Sequence, residues 1–153
     1  MSGRLGPADV ERVTRAYAAV PLFSRLSDRQ RQALAEKSTT RAYRAGKTVV
    51  RQGDTSMALY VLLSGAVSIE REDESGRTPV APSVGVNGFF GEMGLIDDEP
   101  RSATVTALED TECALLAKWD FQNNVRLDPD IAIALMPVLN ARIRDLTARL
   151  ARD

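Results

Sequence analysis

The sequence of 153 residues contains no histidine and a single cysteine. Without histidine the chain lacks the usual general base at neutral pH and the commonest ligand for zinc, copper and iron. A Ser-His-Asp triad cannot be built, so no catalytic residue and no metal site is expected. Cys113 has no partner for a disulfide within the chain. Its surroundings, Thr111-Glu112-Cys113-Ala114-Leu115-Leu116, read as those of a small core residue rather than a reactive thiol. No stretch approaches the roughly 18 apolar residues of a membrane span. The first twenty residues carry Asp9 and Glu11 and no long apolar run, which is unlike a secretory leader. A cytoplasmic protein without a membrane partner is therefore expected. A formal net charge of −1 gives no overall attraction to nucleic acid.

What is present is ordinary for a globular chain. Hydrophobic residues make up 44% and charged residues 27%, enough for one domain with a core. Pro7 to Val20 has the pattern of an amphipathic helix, with Val10, Val13, Tyr17 and Val20 on one face, Asp9 as its cap and Pro21 as its stop. A second helix is expected from Asp28 to Lys37, since Ser27 and Gln30 form a capping-box pair. From Thr39 to Lys118 the texture changes to short runs of Val, Ile, Thr, Tyr and Leu between turn residues. These runs are 39–44, 48–51, 58–63, 66–71, 79–83, 103–108 and 112–116. They predict a small antiparallel sandwich or barrel. The charged stretch from Glu70 to Arg77 reads as a solvated hairpin tip. Helical texture returns with a short helix over 120–125 and a long one opened by Asp128-Pro129. Leu135, Leu139, Ile143, Leu146 and Leu150 form its apolar stripe. Arg142, Arg144, Arg149 and Arg152 lie toward its end, where cations complement the helix dipole. Pro137 predicts either a kink or the start of a second helix.

The segment from Val84 to Leu108 holds the candidate chemistry. Glycines at 88, 91 and 94 let backbone approach a bound group. One helical turn over Glu92 to Ile96 would point unpaired amides outward, and such an end attracts phosphate. Arg101 can neutralise an anion with its planar guanidinium. Ser102 adds a hydroxyl, and the amides of Ser102 and Ala103 add donors. Glu92 is an acceptor suited to a sugar hydroxyl. Phe89 and Phe90 read as core, and Met93, Leu95 and Ile96 as packed against the barrel, with Leu95 within reach of a sugar or base.

The stretch Phe-Gly-Glu-Met-Gly-Leu-Ile-Asp-Asp-Glu-Pro-Arg-Ser-Ala, residues 90–103, resembles the phosphate-binding cassette of the cyclic nucleotide-binding domain family. Upstream, Gly46, Val49, Gly53-Asp54 and Leu59-Tyr60-Val61-Leu62 with Gly65 resemble the glycine-punctuated strands of the same family. Ser56 departs from it, standing where Gly, Ala or Cys is usual. The resemblance covers the chain from about Val20 to Leu150. It implies a mainly β fold with flanking helices: an eight-stranded antiparallel jelly-roll β-barrel with N-terminal helices and C-terminal lid or dimerisation helices. The division is an N-terminal helix over 1–20 and a binding domain over 21–153, with the β-roll at 39–118 and the late helices at 119–151.

The implied ligand contacts are Gly91, Glu92, Met93, Arg101, Ser102 and Ala103. Thr147 falls where catabolite activators offer a base-contacting hydroxyl. The implied ligand is a cyclic nucleotide, cyclic AMP ahead of cyclic GMP, with a cyclic dinucleotide left open. The expected role is a sensor or regulatory domain that catalyses nothing itself. The chain stops at Asp153, so no DNA-reading helix and no kinase or channel part is expected in it. Its partners would be an unnamed effector protein and a second copy through the C-terminal helix. A ligand-free dimerisation or docking module of the same fold is the alternative.

Overall fold

The computed structural model describes residues 5–152, apart from the side chain of Pro82. Expectations for residues 1–4 and 153 lie outside the described residues. Helix α1 spans Pro7–Ala18. Its cap is Gly6 in an extended conformation, with Pro7 at the first helical position. A missing N–H costs nothing there. Asp9 is therefore not the cap; it lies in the first turn, where its charge complements the dipole. The helix ends before Val20, and Pro21 opens a short 3-10 turn, Pro21–Phe23. Val13, Tyr17 and Val20 are fully buried. Helix α2 covers Asp28–Lys37 with the expected capping box: the Gln30 amide donates to Ser27 Oγ at 3.1 Å and the Ser27 amide to Gln30 Oε1 at 2.9 Å.

Eight strands follow. They are β1 (Thr39–Tyr43), β2 (Thr48–Val50), β3 (Ala58–Ser64), β4 (Val67–Asp73), β5 (Gly76–Val84), β6 (Phe89–Phe90), β7 (Thr104–Ala107) and β8 (Thr111–Ala117). They form two four-stranded antiparallel sheets with orders β1-β8-β3-β6 and β2-β7-β4-β5, the jelly-roll expected. β3 shows why one strand is an unbroken apolar run. Leu59, Val61 and Leu63 face the core shared with α1 and the late helices. Ala58, Tyr60 and Leu62 face the core between the sheets. A strand covered on both faces shows no polar alternation. β4 and β5 pair from Val67 and Val84 out to Asp73 and Gly76. The hairpin tip is therefore shorter than the expected 70–77, because only Glu74 and Ser75 form the turn and Arg71, Glu72, Asp73 and Arg77 are exposed strand. β6 carries only two residues, too few for a periodic signal.

Helix α3 spans Lys118–Leu127, longer at both ends than expected, and α4 spans Asp130–Arg152. Pro129 precedes α4 rather than opening it. Pro137 lies inside α4, which runs through it as one helix; no second helix starts there. Pro137 and Ile133, whose carbonyl loses its donor, are both exposed, so water can replace the bond. The expected stripe divides. Leu135 is buried, as is Ile131 one turn before the stripe, and Leu139 is half-buried, whereas Ile143, Leu146 and Leu150 are exposed.

Candidate functional site

Between the β2-β7-β4-β5 sheet and the segment after β6 lies a cleft of about 340 Å3. One wall is apolar: Val50, Ile69, Phe90 and Val105. The other is the turn Gly91-Glu92-Met93-Gly94 with Pro100-Arg101-Ser102-Ala103. Six of the seven residues singled out in the sequence, Gly91, Glu92, Met93, Arg101, Ser102 and Ala103, thus line one hollow. A second hollow, about 480 Å3, lies outside the same sheet along Thr48, Arg51, Gln52 and Arg77. None of these four side chains is buried.

The cassette backbone follows from its glycines. Gly91 has φ +86°, a left-handed conformation that side chains resist. A Cβ on it would stand 2.2 Å from Arg101 Nη1 and 2.7 Å from the Ala58 carbonyl oxygen. Its bare backbone is what lets Arg101 Nη2 donate to that carbonyl at 2.7 Å. Met93–Leu95 then makes one 3-10 turn with Glu92 as its cap, in place of the α-helical turn expected. Leu95 is buried, but Met93 and Ile96 are half exposed. The expectation that all three pack on the barrel is corrected: the turn directs Leu95 inward and leaves Met93, at its start, and Ile96, which caps its end, toward solvent. Gly94 accommodates Ser56: a Cβ at 94 would lie 2.0 Å from Ser56 Oγ. The unusual serine is therefore matched by a glycine facing it.

Arg101 is 8% exposed. Besides Ala58 its guanidinium meets the ring of Tyr60, with Cζ 5.4 Å from the centroid. Tyr60 is stacked on Phe90 at 4.8 Å and 10°. Desolvation pulls the Arg101 pKa below its ordinary value, and Tyr60 opposes the shift. Arginine nevertheless stays protonated in proteins. No carboxylate among the described residues compensates it. A buried cation held by one carbonyl and an aromatic face is under-compensated. The amides of Ser102 and Ala103, next in sequence, donate to no group among the described residues.

Glu92 is also largely buried, its side chain 16% exposed. Its Oε2 accepts no hydrogen bond, although Arg142 Nη2 of α4 stands 3.9 Å away. Burial raises the Glu92 pKa and Arg142 partly offsets it. Arg142 thus stands beside Glu92 of the cassette instead of serving the helix end, where Arg149 and Arg152 lie. Thr147 does not line the cleft; it is exposed, and its hydroxyl donates to the Ile143 carbonyl at 2.8 Å. The far end of the cassette is tied to α3 by Lys118, whose ammonium donates to the Asp97 carbonyl and the Asp98 carboxylate. That hydrogen bond, with the lysine charge, holds Asp98 below the usual carboxylate range. Sequence reasoning does not pick out Tyr60, Lys118 or Arg142 as site residues: it reads Tyr60 as part of a strand motif and Arg142 as a cation serving the helix dipole. Tyr60 sat in an apolar run, and the two cations carry no motif.

The family model of the cyclic nucleotide-binding domain matches residues 40–127. The cyclic AMP receptor protein of Thermus thermophilus is 34% identical over 130 residues, which are 85% of this chain and 60% of that protein. The cAMP-dependent protein kinase regulatory subunit of Blastocladiella emersonii is 34% identical over 102 residues, 67% of this chain and 25% of that protein. The chain spans less than two thirds of the length of either relative. The crystal structure of the N-terminal domain of a transcriptional regulator from Streptomyces coelicolor A3(2) superposes with a TM-score of 0.77 at 31% identity, covering 88% of this chain and 94% of that one. With the cleft and cassette in place, these matches show that the chain belongs to the cyclic nucleotide-binding domain family.

Proposed function

We propose that the cleft binds a 3′,5′-cyclic nucleotide, cyclic AMP ahead of cyclic GMP, and that the chain acts as a cytoplasmic sensor or regulatory domain. The observation that carries this reading is Arg101, a buried cation with no carboxylate among the described residues, beside two amides that find no acceptor among them, on one wall of an open cleft. A cyclic phosphate monoanion supplies the missing charge and accepts from those donors. Arg101 would pair with the phosphate, and the amides of Gly91 and Ala103 with the Ser102 hydroxyl would complete the cradle. Glu92 Oε2, buried and without a donor, would accept from the ribose 2′-hydroxyl. The base would lie along Val50, Ile69 and Val105. Thr147 joins the site only if the distal half of α4 moves inward. Charge-assisted hydrogen bonds of about 1.5–3 kcal/mol each are enough for micromolar affinity after the cost of association.

Occupancy would be passed on through α4, which meets the cleft at Arg142 and Glu92. The response of a partner protein is then limited by the difference in ligand affinity between the two placements of the helix. A thermal melt with cyclic AMP, cyclic GMP and 5′-AMP tests the proposal. Cyclic AMP at about 100 times its dissociation constant should stabilise the chain by about 2.7 kcal/mol, with 5′-AMP far behind. A larger shift with cyclic GMP would keep the site and change the base preference. Absence of a shift with every cyclic nucleotide would leave only a docking module of this fold.

A further inference from the structure

We infer that Arg71 of β4 is a second cation for the bound phosphate, taking its exocyclic oxygen on the solvent side while Arg101 takes the other from within. The inference rests on the proposed reading of the cleft as a cyclic nucleotide site. Strand alternation places Arg71. β4 pairs with β7 in unbroken register, from Val67 opposite Ala107 to Glu70 opposite Thr104. Successive side chains on such a strand point to opposite faces. Val67 is fully buried and Ile69 lines the cleft, so Arg71 is the next side chain on that same face. One further step of the register brings it level with Ala103. Its Nε donates to the Ser102 carbonyl oxygen at 3.1 Å, and Ser102 and Ala103 both line the cleft. Arg71 itself is exposed. It therefore stands at the rim, beside the phosphate donors, where the apolar wall gives way to a cation.

The acids around Arg71 do not take up its charge. Glu70 and Glu72 alternate onto the opposite face, and Glu72 meets Arg77 there at 3.8 Å. Asp73, next on the Arg71 face, accepts from the Ser75 amide at 2.9 Å and from the Ser75 hydroxyl at 2.7 Å. Among the described residues the two Nη groups of Arg71 donate to nothing. A guanidinium carries five N–H donors in a rigid fork. One is spent on Ser102, and that bond fixes the plane of the other four. Such a planar fork suits phosphate oxygens. A cyclic phosphate has two exocyclic oxygens that share its charge. Arg101, 8% exposed and bonded to the Ala58 carbonyl, approaches from the interior, and Arg71 approaches from the rim. The two arginines therefore meet different oxygens, and neither can stand in for the other. The exposed one contributes less, because water screens it.

The test titrates wild type, Arg71→Met, Arg71→Lys and Arg77→Met calorimetrically. The ligands are cyclic AMP and its two phosphorothioate diastereomers, each of which replaces one exocyclic oxygen by sulfur. Arg77, on the neighbouring strand, lines the hollow outside the sheet, so its loss controls for charge acting through space. Arg71→Met should weaken cyclic AMP about tenfold, the loss of one exposed charge-assisted hydrogen bond. The diastereomer with sulfur on the solvent side already lacks a good acceptor there and should lose about threefold or less, whereas the other should lose the full amount. Arg71→Lys should lose less than Arg71→Met, since it keeps the charge without the fork. Arg77→Met should stay within about twofold of wild type. Wild-type affinity for cyclic AMP in Arg71→Met, or an equal loss in Arg77→Met, would overturn the inference while leaving the cleft reading intact. So would an equal loss for both diastereomers, the mark of an arginine that only steadies the cassette through Ser102. A wild-type chain that binds no cyclic nucleotide removes the cleft reading, and the inference with it. If Arg71→Met melts lower without ligand, the ratio of the two diastereomers on that one variant still decides.

Discussion

The cassette and the distal half of α4 meet at one point, Glu92 and Arg142, yet they are held in opposite ways. The cassette is fastened from several directions. Gly53 and Asp54 exchange backbone hydrogen bonds with Arg101, Arg71 holds Ser102, Lys118 holds Asp97 and Asp98, and Leu95 anchors the 3-10 turn in the core. Beyond Leu139, α4 buries no side chain, and its link to the cleft is an ion pair 3.9 Å long. A donor array that must match a phosphate has to be preorganised, because every misplaced donor costs affinity. A helix that reports on the ligand must instead lie at the low-stability end of the fold. The two regions differ as those two tasks require.

The largest effect should come from disturbing the rigid side of this contrast. Arg101→Ala should weaken cyclic nucleotide binding by about 100-fold, since it removes a charge-assisted contact that no neighbour can replace. Gly91→Ala should approach that loss with the arginine still present. Its methyl group would occupy the place of Nη1, and φ +86° is strained for alanine. Calorimetric titration of both variants checks the link. Full affinity in Gly91→Ala would mean that the guanidinium does not need its present seat.

A smaller effect is expected where the two regions touch. Glu92 keeps its proton more readily in the folded chain than at the ordinary value of 4.5, because burial outweighs Arg142. Its contribution to stability is therefore complete below the unfolded pKa and falls as pH rises through the folded one. Glu92→Gln should remove that decline and stabilise the unliganded chain at neutral pH by about 1 kcal/mol or less. The same change should weaken cyclic AMP about tenfold and erase its advantage over the 2′-deoxy analogue. Melting curves from about pH 4 to about pH 8, with matched titrations, separate the two consequences. A retained preference over the 2′-deoxy compound would assign the ribose contact elsewhere.

How much was legible in the sequence follows the same division. The barrel was readable because strand periods and turn glycines are local signals, and the capping box of Ser27 and Gln30 placed α2 to the residue. The cassette was readable because its donors are consecutive or nearly so. Contacts made at long range were not: Tyr60 under Arg101, Arg71 on Ser102, Lys118 on Asp97, and Gly94 against Ser56 are each set by strand order rather than by spacing. α4 misled in another way. Its stripe from Leu135 to Leu150 is continuous in period, but periodicity records which residues share a face and not whether anything covers that face.

That uncovered face gives the smallest predicted effect. Leu146 is 57% exposed, so Leu146→Ser should change the stability of the isolated chain by about 0.5 kcal/mol or less. Leu135, on the same stripe but 5% exposed, should cost about 2–5 kcal/mol on truncation to alanine. Melting both variants at two protein concentrations separates intrinsic from associative stability. A Leu146→Ser loss that grows with concentration would mean that a second copy covers the stripe in solution, since a dimer links stability to protomer concentration. A concentration-independent loss as large as that of Leu135→Ala would instead mean that the distal half of α4 packs back on its own domain. The contrast between a fixed cassette and a free helix would then fail.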